Sequence, residues 1–145
     1  MTSSVTIACD IDSTDYACPL AFEIALNGQI VYATAWVDKS EHCEFALDDQ
    51  DSQHVLEFVL RNKLDTHTSI DSLGNIVTDA RIKINNLSFD GIPLGQVFVD
   101  QAEYRHDFNG HGPSTVERFY GEMGCNGRVS LQFTTPIYLW MLDHM

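Results

Sequence analysis

Residues 21–37 read A-F-E-I-A-L-N-G-Q-I-V-Y-A-T-A-W-V, and this stretch decides the fold. Phe22, Ile24 and Leu26 alternate with Glu23 and Ala25 up to Asn27-Gly28, and a second extended run follows through Ile30, Tyr32, Trp36 and Val37. Asn-Gly offers two residues that tolerate positive φ, which is what a tight turn between antiparallel strands requires. Strands are therefore expected at 20–26 and 29–37. Tyr32 and Trp36 then have equal parity and share one face of the sheet. Facing solvent, the pair is a platform on which a sugar ring stacks; facing inward, it is ordinary core.

The same period continues outward from this hairpin. Residues 42–47 form a short strand candidate, and the polar run Asp48, Asp49, Gln50, Asp51, Ser52, Gln53 is a loop. Residues 53–61 set Leu56, Phe58 and Leu60 against Val55, Glu57 and Val59, the pattern of a central strand with one buried and one mixed face. Residues 62–79 are so rich in turn formers that they read as a long excursion. In 81–89 the apolar parity slips at Asn85-Asn86, a β-bulge signal. Short strands are expected at 96–99 and 102–106, an exposed loop at 107–114, and a half-buried strand through Val129, Leu131 and Phe133 that Pro136 ends. Residues 137–145 are apolar on nearly every side and suit one or two helical turns or a last strand, docked on the core or on a partner. Seven to nine short strands with frequent loops imply an all-β fold, an antiparallel β-sandwich of the jelly-roll type.

With 145 residues and 16.3 kDa, residues 1–145 suit one domain, and 44% hydrophobic residues supply a core. Eight Lys and Arg stand against 21 Asp and Glu, a formal charge of −13, and the cations are scattered singly along the chain. Nucleic acid is excluded as a partner, since a phosphate backbone needs clustered cations, and an anionic membrane surface is disfavoured for the same reason. Neither a signal peptide nor a transmembrane stretch is legible. Cys9, Cys18, Cys43 and Cys125 form no C-x-x-C pair, and without a secretion signal reduced thiols are expected; an oxidising medium would allow three pairings.

No G-x-S-x-G and no activated-cysteine context occurs, and carboxylate pairs are too freely available in so acidic a chain to point to glycoside hydrolysis, so no enzyme is expected. His106, Asp107 and His111 lie close enough in sequence to hold a metal, or form a solvated loop. Calcium is served better, because hard cations take oxygen ligands from loops: Asp48, Asp49 and Asp51 are one such set, and Asn62, Asp65, Asp71 and Asp79 another. Solvated acidic loops give the same composition.

Two resemblances rest on longer motifs. Residues 22–91, with L-N-G-x-x-V (26–31), V-L-E-F-V-L-R-N (55–62) and D-A-R-I-K-I-N-N-L-S-F-D-G (79–91), resemble calcium-dependent xylan-binding carbohydrate-binding modules. The resemblance implies a sandwich and calcium held by Asn62 and Asp79; Asp65 from the same loop joins them as an expected metal ligand, and in a glycan-binding reading Tyr32 or Trp36 contacts the sugar. Lys63 stands where that family's pattern expects an acid. The second covers I-K-I-N-N-L-S-F-D-G-I-P-L-G-Q (82–96), Y-R-H-D-F-N-G-H-G-P (104–113), F-Y-G-E-M-G-C-N-G (119–127) and T-T-P-I-Y-L-W-M-L (134–142), which are similar to small acidic proteins of marine tailed phages, cyanophages in particular. It implies a non-enzymatic virion structural or adhesion module, made in the host cytoplasm, whose partners are other virion proteins, further copies of itself or host-surface glycans. The alternative is a calcium-dependent carbohydrate-binding module.

Overall fold

The computed structural model describes residues 4–48 and 52–145. Its strands are β1 (Ser4–Ser13), β2 (Ala21–Leu26), β3 (Gln29–Thr34), β4 (Glu41–Asp48), β5 (Ser52–Arg61), β6 (Thr68–Ile70), β7 (Ile76–Asp79), β8 (Ile82–Phe89), β9 (Ile92–Pro93), β10 (Glu103–His106), β11 (Thr115–Arg118), β12 (Glu122–Met123) and β13 (Gly127–Thr135). Two helices, α1 (Gln96–Gln101) and α2 (Ile137–His144), and a 3₁₀ turn at Asp65–His67 complete the described elements. One sheet runs β12-β8-β1-β4 with β9 on β8, the other β11-β10-β13-β5-β2-β3, and β6-β7 is a separate hairpin. All pairings are antiparallel. The expected sandwich is the fold.

Period-two alternation explains the layers. Val5, Ile7, Cys9 and Ile11 of β1 face Phe22, Ile24, Leu56, Phe58, Leu60, Val129, Leu131 and Phe133 of the larger sheet, all of them buried. Aromatic rings fill the space between: Phe58 lies 5.9 Å from Phe98, Phe98 5.3 Å from Phe119, and Phe89 5.0 Å from Phe133. The β2–β3 turn carries Asn27 at φ 53° and Gly28 at φ 83°, as Asn-Gly predicts. The bulge falls where parity slips: Ala8 pairs with Ser88 but Asp10 with Asn85, so β8 carries one residue more than β1, and Asn86 takes φ 58°.

Four expectations need correction. Residues 96–99 are helical, because Leu94, Val97 and Phe98 are the buried set and recur at helical spacing. Residues 62–79 hold the 3₁₀ turn and the β6–β7 hairpin, whose strands bury almost nothing and so carry little periodic signal. The described strands number thirteen, several of them only two to four residues long. β3 ends at Thr34, whose hydroxyl donates to the Trp36 carbonyl at 3.1 Å and accepts from the Trp36 N–H at 3.3 Å, so Trp36 lies in a turn beyond the strand.

All four cysteines are free thiols. Cys9 and Cys43 are buried and directly opposed across β1 and β4, and the Cys9 thiol is pushed up by its hydrogen bond to Cys43 and by burial. Among the described residues no helix is long and apolar enough to cross a membrane.

Candidate functional site

Several loops of the sandwich are tied together around one side chain. Asn62 turns the chain after β5 through a left-handed conformation at φ 65°, and Lys63 follows with its side chain fully buried. The Lys63 ammonium donates to Asp79 Oδ1 at 2.5 Å, to the Ala80 carbonyl at 2.5 Å and to the Gly124 carbonyl at 2.9 Å. An ammonium carries three protons, and each has an acceptor. The Asp79 carboxylate supplies the countercharge that a buried cation needs, and the same Oδ1 accepts from Thr68 Oγ1 at 2.7 Å.

Asn126 clasps the backbone of the same residue. It accepts from the Lys63 N–H at 2.7 Å and returns a bond from Nδ2 to the Lys63 carbonyl at 2.9 Å, while its own N–H donates to Asn109 Oδ1 at 2.7 Å. Through Asn109 the clasp reaches the 107–114 loop, itself turned by Gly110 N–H donating to Asp107 Oδ1 at 2.9 Å. The Tyr104 hydroxyl donates to the Cys125 carbonyl at 2.5 Å and accepts from the Cys125 N–H at 2.9 Å; burial pushes this phenol up. Thr14 Oγ1 joins the first loop to the knot, donating to the Asp79 carbonyl at 3.1 Å and accepting from the Arg81 N–H at 2.9 Å.

The residues anticipated as calcium ligands are not gathered here. Asp79 holds Lys63; Asp65, exposed in the 3₁₀ turn, lies 2.8 Å from His111 Nε2; Asn62 lines a cleft beside β5. Asp71 accepts from the Leu73 and Asn75 N–H groups, both at 2.9 Å, which closes the β6–β7 turn and lowers its pKa, the bond from Asn75 first. Asp48 ends β4, and Asp49 and Asp51 lie outside the described residues. No group of three or more His, Cys, Asp or Glu side chains suited to a metal occurs among the described residues. Of the calcium ligands anticipated from sequence only Asp79 reaches the buried ammonium, and its Oδ1 is already engaged by Lys63 and Thr68, so these residues do not form a calcium site around it.

His106 is a satisfied core histidine, buried between Tyr104 and Phe108 with Nε2 2.9 Å from Glu117 Oε2. It does not converge with His111, which pairs with Asp65. Tyr32 is half-buried against the core, and Trp36 is 45% exposed, its indole N–H donating to the Tyr16 carbonyl at 2.8 Å. The two belong to different surroundings.

Two clefts open on the larger sheet. One, of about 610 Å³, is lined by Arg61, Asn62, Arg105, Ser114, Asn126 and Arg128 among others. The other, of about 750 Å³, lies where β10 stops short of the end of β13, and its walls carry Gln53, Gln101, Glu103, Gln132, Thr134 and Asp143, with Trp140 at the base. Gln53, Gln101, Glu103, Gln132 and Asp143 are exposed residues. None of these was singled out from sequence; Gln132 and Thr134 were legible only as the solvent side of a half-buried strand.

No protein-family model matches the chain, and no curated protein matches it significantly. Two solved structures are similar. One is vCBM60 in complex with galactobiose, at 10% identity over 89% of this chain and 97% of the other, with a TM-score of 0.49. The other is the selenomethionine form of vCBM60, from work linking two families of calcium-dependent carbohydrate-binding modules by circular permutation, at 8% identity over 88% and 89% of the chains, with a TM-score of 0.53. The second comparison shows that the two chains share the sandwich fold.

Proposed function

We propose that this protein is a non-catalytic glycan-binding module. The 750 Å³ cleft carries the reading: amides, carboxylates and a hydroxyl converge on it from β5, β10, β13 and the ends of both helices. Sugar hydroxyls both donate and accept, so a wall of mixed amide and carboxylate groups satisfies them without a metal. The sandwich shared with vCBM60 supports the same reading. From Gln132, Thr134 and Gln53 the polar side of the strands runs on past Ser130 to Arg128, about 20 Å at the usual rise per residue, which is room for several rings.

Gln132→Ala and Gln53→Ala test this site. Each removes side-chain hydrogen bonds to the ligand from an exposed position, so each is expected to weaken binding of an array-identified oligosaccharide about 5- to 10-fold, with an unchanged unfolding midpoint. Calorimetric titration measures it. Equal affinity in both variants and the parent removes the cleft from the site.

A second reading, a structural component that assembles with further copies of itself, draws support from the β6–β7 hairpin. Ile70, Leu73, Ile76 and Val77 are 62%, 85%, 66% and 63% exposed there, an apolar cluster that a lone soluble domain has no use for. Under this reading the chain self-associates with rising concentration in light scattering, and an Ile70→Ser, Ile76→Ser double variant stays monomeric. A monomer at every concentration contradicts it. Virion membership is part of the same proposal and rests on the phage resemblance alone.

A further inference from the structure

We infer that the Lys63 ammonium is a built-in cation, holding the position that a metal ion would otherwise occupy, and that this protein folds and binds its ligand without calcium. The inference concerns the cofactor of the proposed glycan-binding module, and its stability arm stands whether or not glycan binding does.

The oxygen set around Lys63 is what a hard cation recruits. It contains one carboxylate, two backbone carbonyls from separate loops and, on the same carboxylate, a threonine hydroxyl. Ala80 and Gly124 lie 44 residues apart in sequence and both stand outside the strands, and the cation draws their two loops together. That is the structural work calcium does in loop-rich domains. Here the charge arrives on a covalent tether. The side chain is wholly buried, its three donors are matched by three acceptors, and its backbone is fixed on both sides by Asn126.

Occupancy by lysine has a chemical consequence. A calcium ion needs about six to eight oxygens and would have to displace the ammonium, leaving that charge buried beside it; like charges at such a distance do not coexist in a closed site. The tether also makes the cation independent of ion concentration, so chelators have nothing to remove from this knot. A glutamate at position 63 would place a carboxylate oxygen about one bond, roughly 1.5 Å, short of the ammonium position, so an ion about 2.4 Å from that oxygen would sit within about 1 Å of where the ammonium lies. Lys63→Glu should therefore convert the knot into a real metal site, with two carboxylates and two carbonyls around an ion.

The test is thermal unfolding and calorimetric titration of the full chain with calcium chloride alone as probe, in calcium and in EDTA. The parent is expected to unfold at the same temperature in both and to take up no stoichiometric calcium. Lys63→Glu is expected to unfold at a lower temperature than the parent in EDTA and to recover by several degrees in millimolar calcium. A rise in the parent's midpoint with calcium, or stoichiometric uptake by it, overturns the inference. So does a Lys63→Glu chain that calcium fails to restore, folded or not. These readouts contain no sugar, so failure of the glycan-binding reading would appear only in the ligand titrations.

Discussion

Removal of residues 137–145 is expected to abolish cooperative folding. Ile137, Trp140 and Met141 are 0%, 5% and 5% exposed, and Trp140 packs edge-on against Phe89 and Phe133, one ring from each sheet. Burial of three such side chains contributes roughly 5–8 kcal/mol, as much as the whole net stability of many domains. α2 is therefore a plug between the sheets, and the expected result is a chain without near-ultraviolet dichroism or a sigmoidal urea transition. A truncated chain that unfolds cooperatively near the parent's midpoint would mean that the segment serves an outside partner. The other face of the helix differs: Tyr138, Leu139 and Leu142 are 49%, 60% and 69% exposed, and polar substitution there should leave the midpoint nearly unchanged.

Asp79→Ala is the second large effect. It removes the only carboxylate among the described residues that pairs with the fully buried Lys63 ammonium and leaves Thr68 Oγ1 without its acceptor. Deleting one member of a buried pair costs about 3–5 kcal/mol, and since Asp79 keeps 24% of its side chain exposed, water relieves part of this and the expected loss is about 3 kcal/mol. Calcium should not restore it. The comparison separates two accounts of the same carboxylate. If Asp79 were a metal ligand, the variant would match the parent stripped of calcium; if it neutralises Lys63, the variant is less stable than the parent in every buffer. Urea unfolding with and without EDTA distinguishes them. Loss of stability in calcium only would contradict the pairing account.

Local chemistry made part of this fold legible. Asn27-Gly28 fixed one hairpin because its backbone requirement is independent of context, and the parity slip at Asn85-Asn86 marked the bulge because each flank has its own buried face. Residues 96–101 misled because Val97 and Phe98 favour strands, yet Leu94 three residues earlier completes a helical stripe that only the inter-sheet cavity selects. The strand at Ser4–Ser13 carries a clean alternation in Val5, Ile7, Cys9 and Ile11. Its place between β8 and β4 is a matter of long-range pairing.

The site was less legible for the same reason. Lys63 stood out as a departure from a resembling pattern, but its acceptors at residues 79, 80 and 124 and its clasp by Asn126, 63 residues away, have no local signature. An Asn-Gly at 126–127 reads as a turn and nothing more. Acidic residues, by contrast, were too plentiful: Asp65 and Asp71 looked like ligands because carboxylates in loops always do, while in the fold each meets a nearby donor. Composition suggested a metal, and connectivity gave one of the anticipated carboxylates, Asp79, to a lysine.

Binding of the purified chain to an array of neutral and acidic glycans, run in calcium and again in EDTA, tests the central claim most directly. The account predicts specific binding of the same intensity in both conditions. An array silent in both would contradict glycan binding, and binding lost in EDTA would contradict the inference that the Lys63 ammonium takes the place of a metal ion.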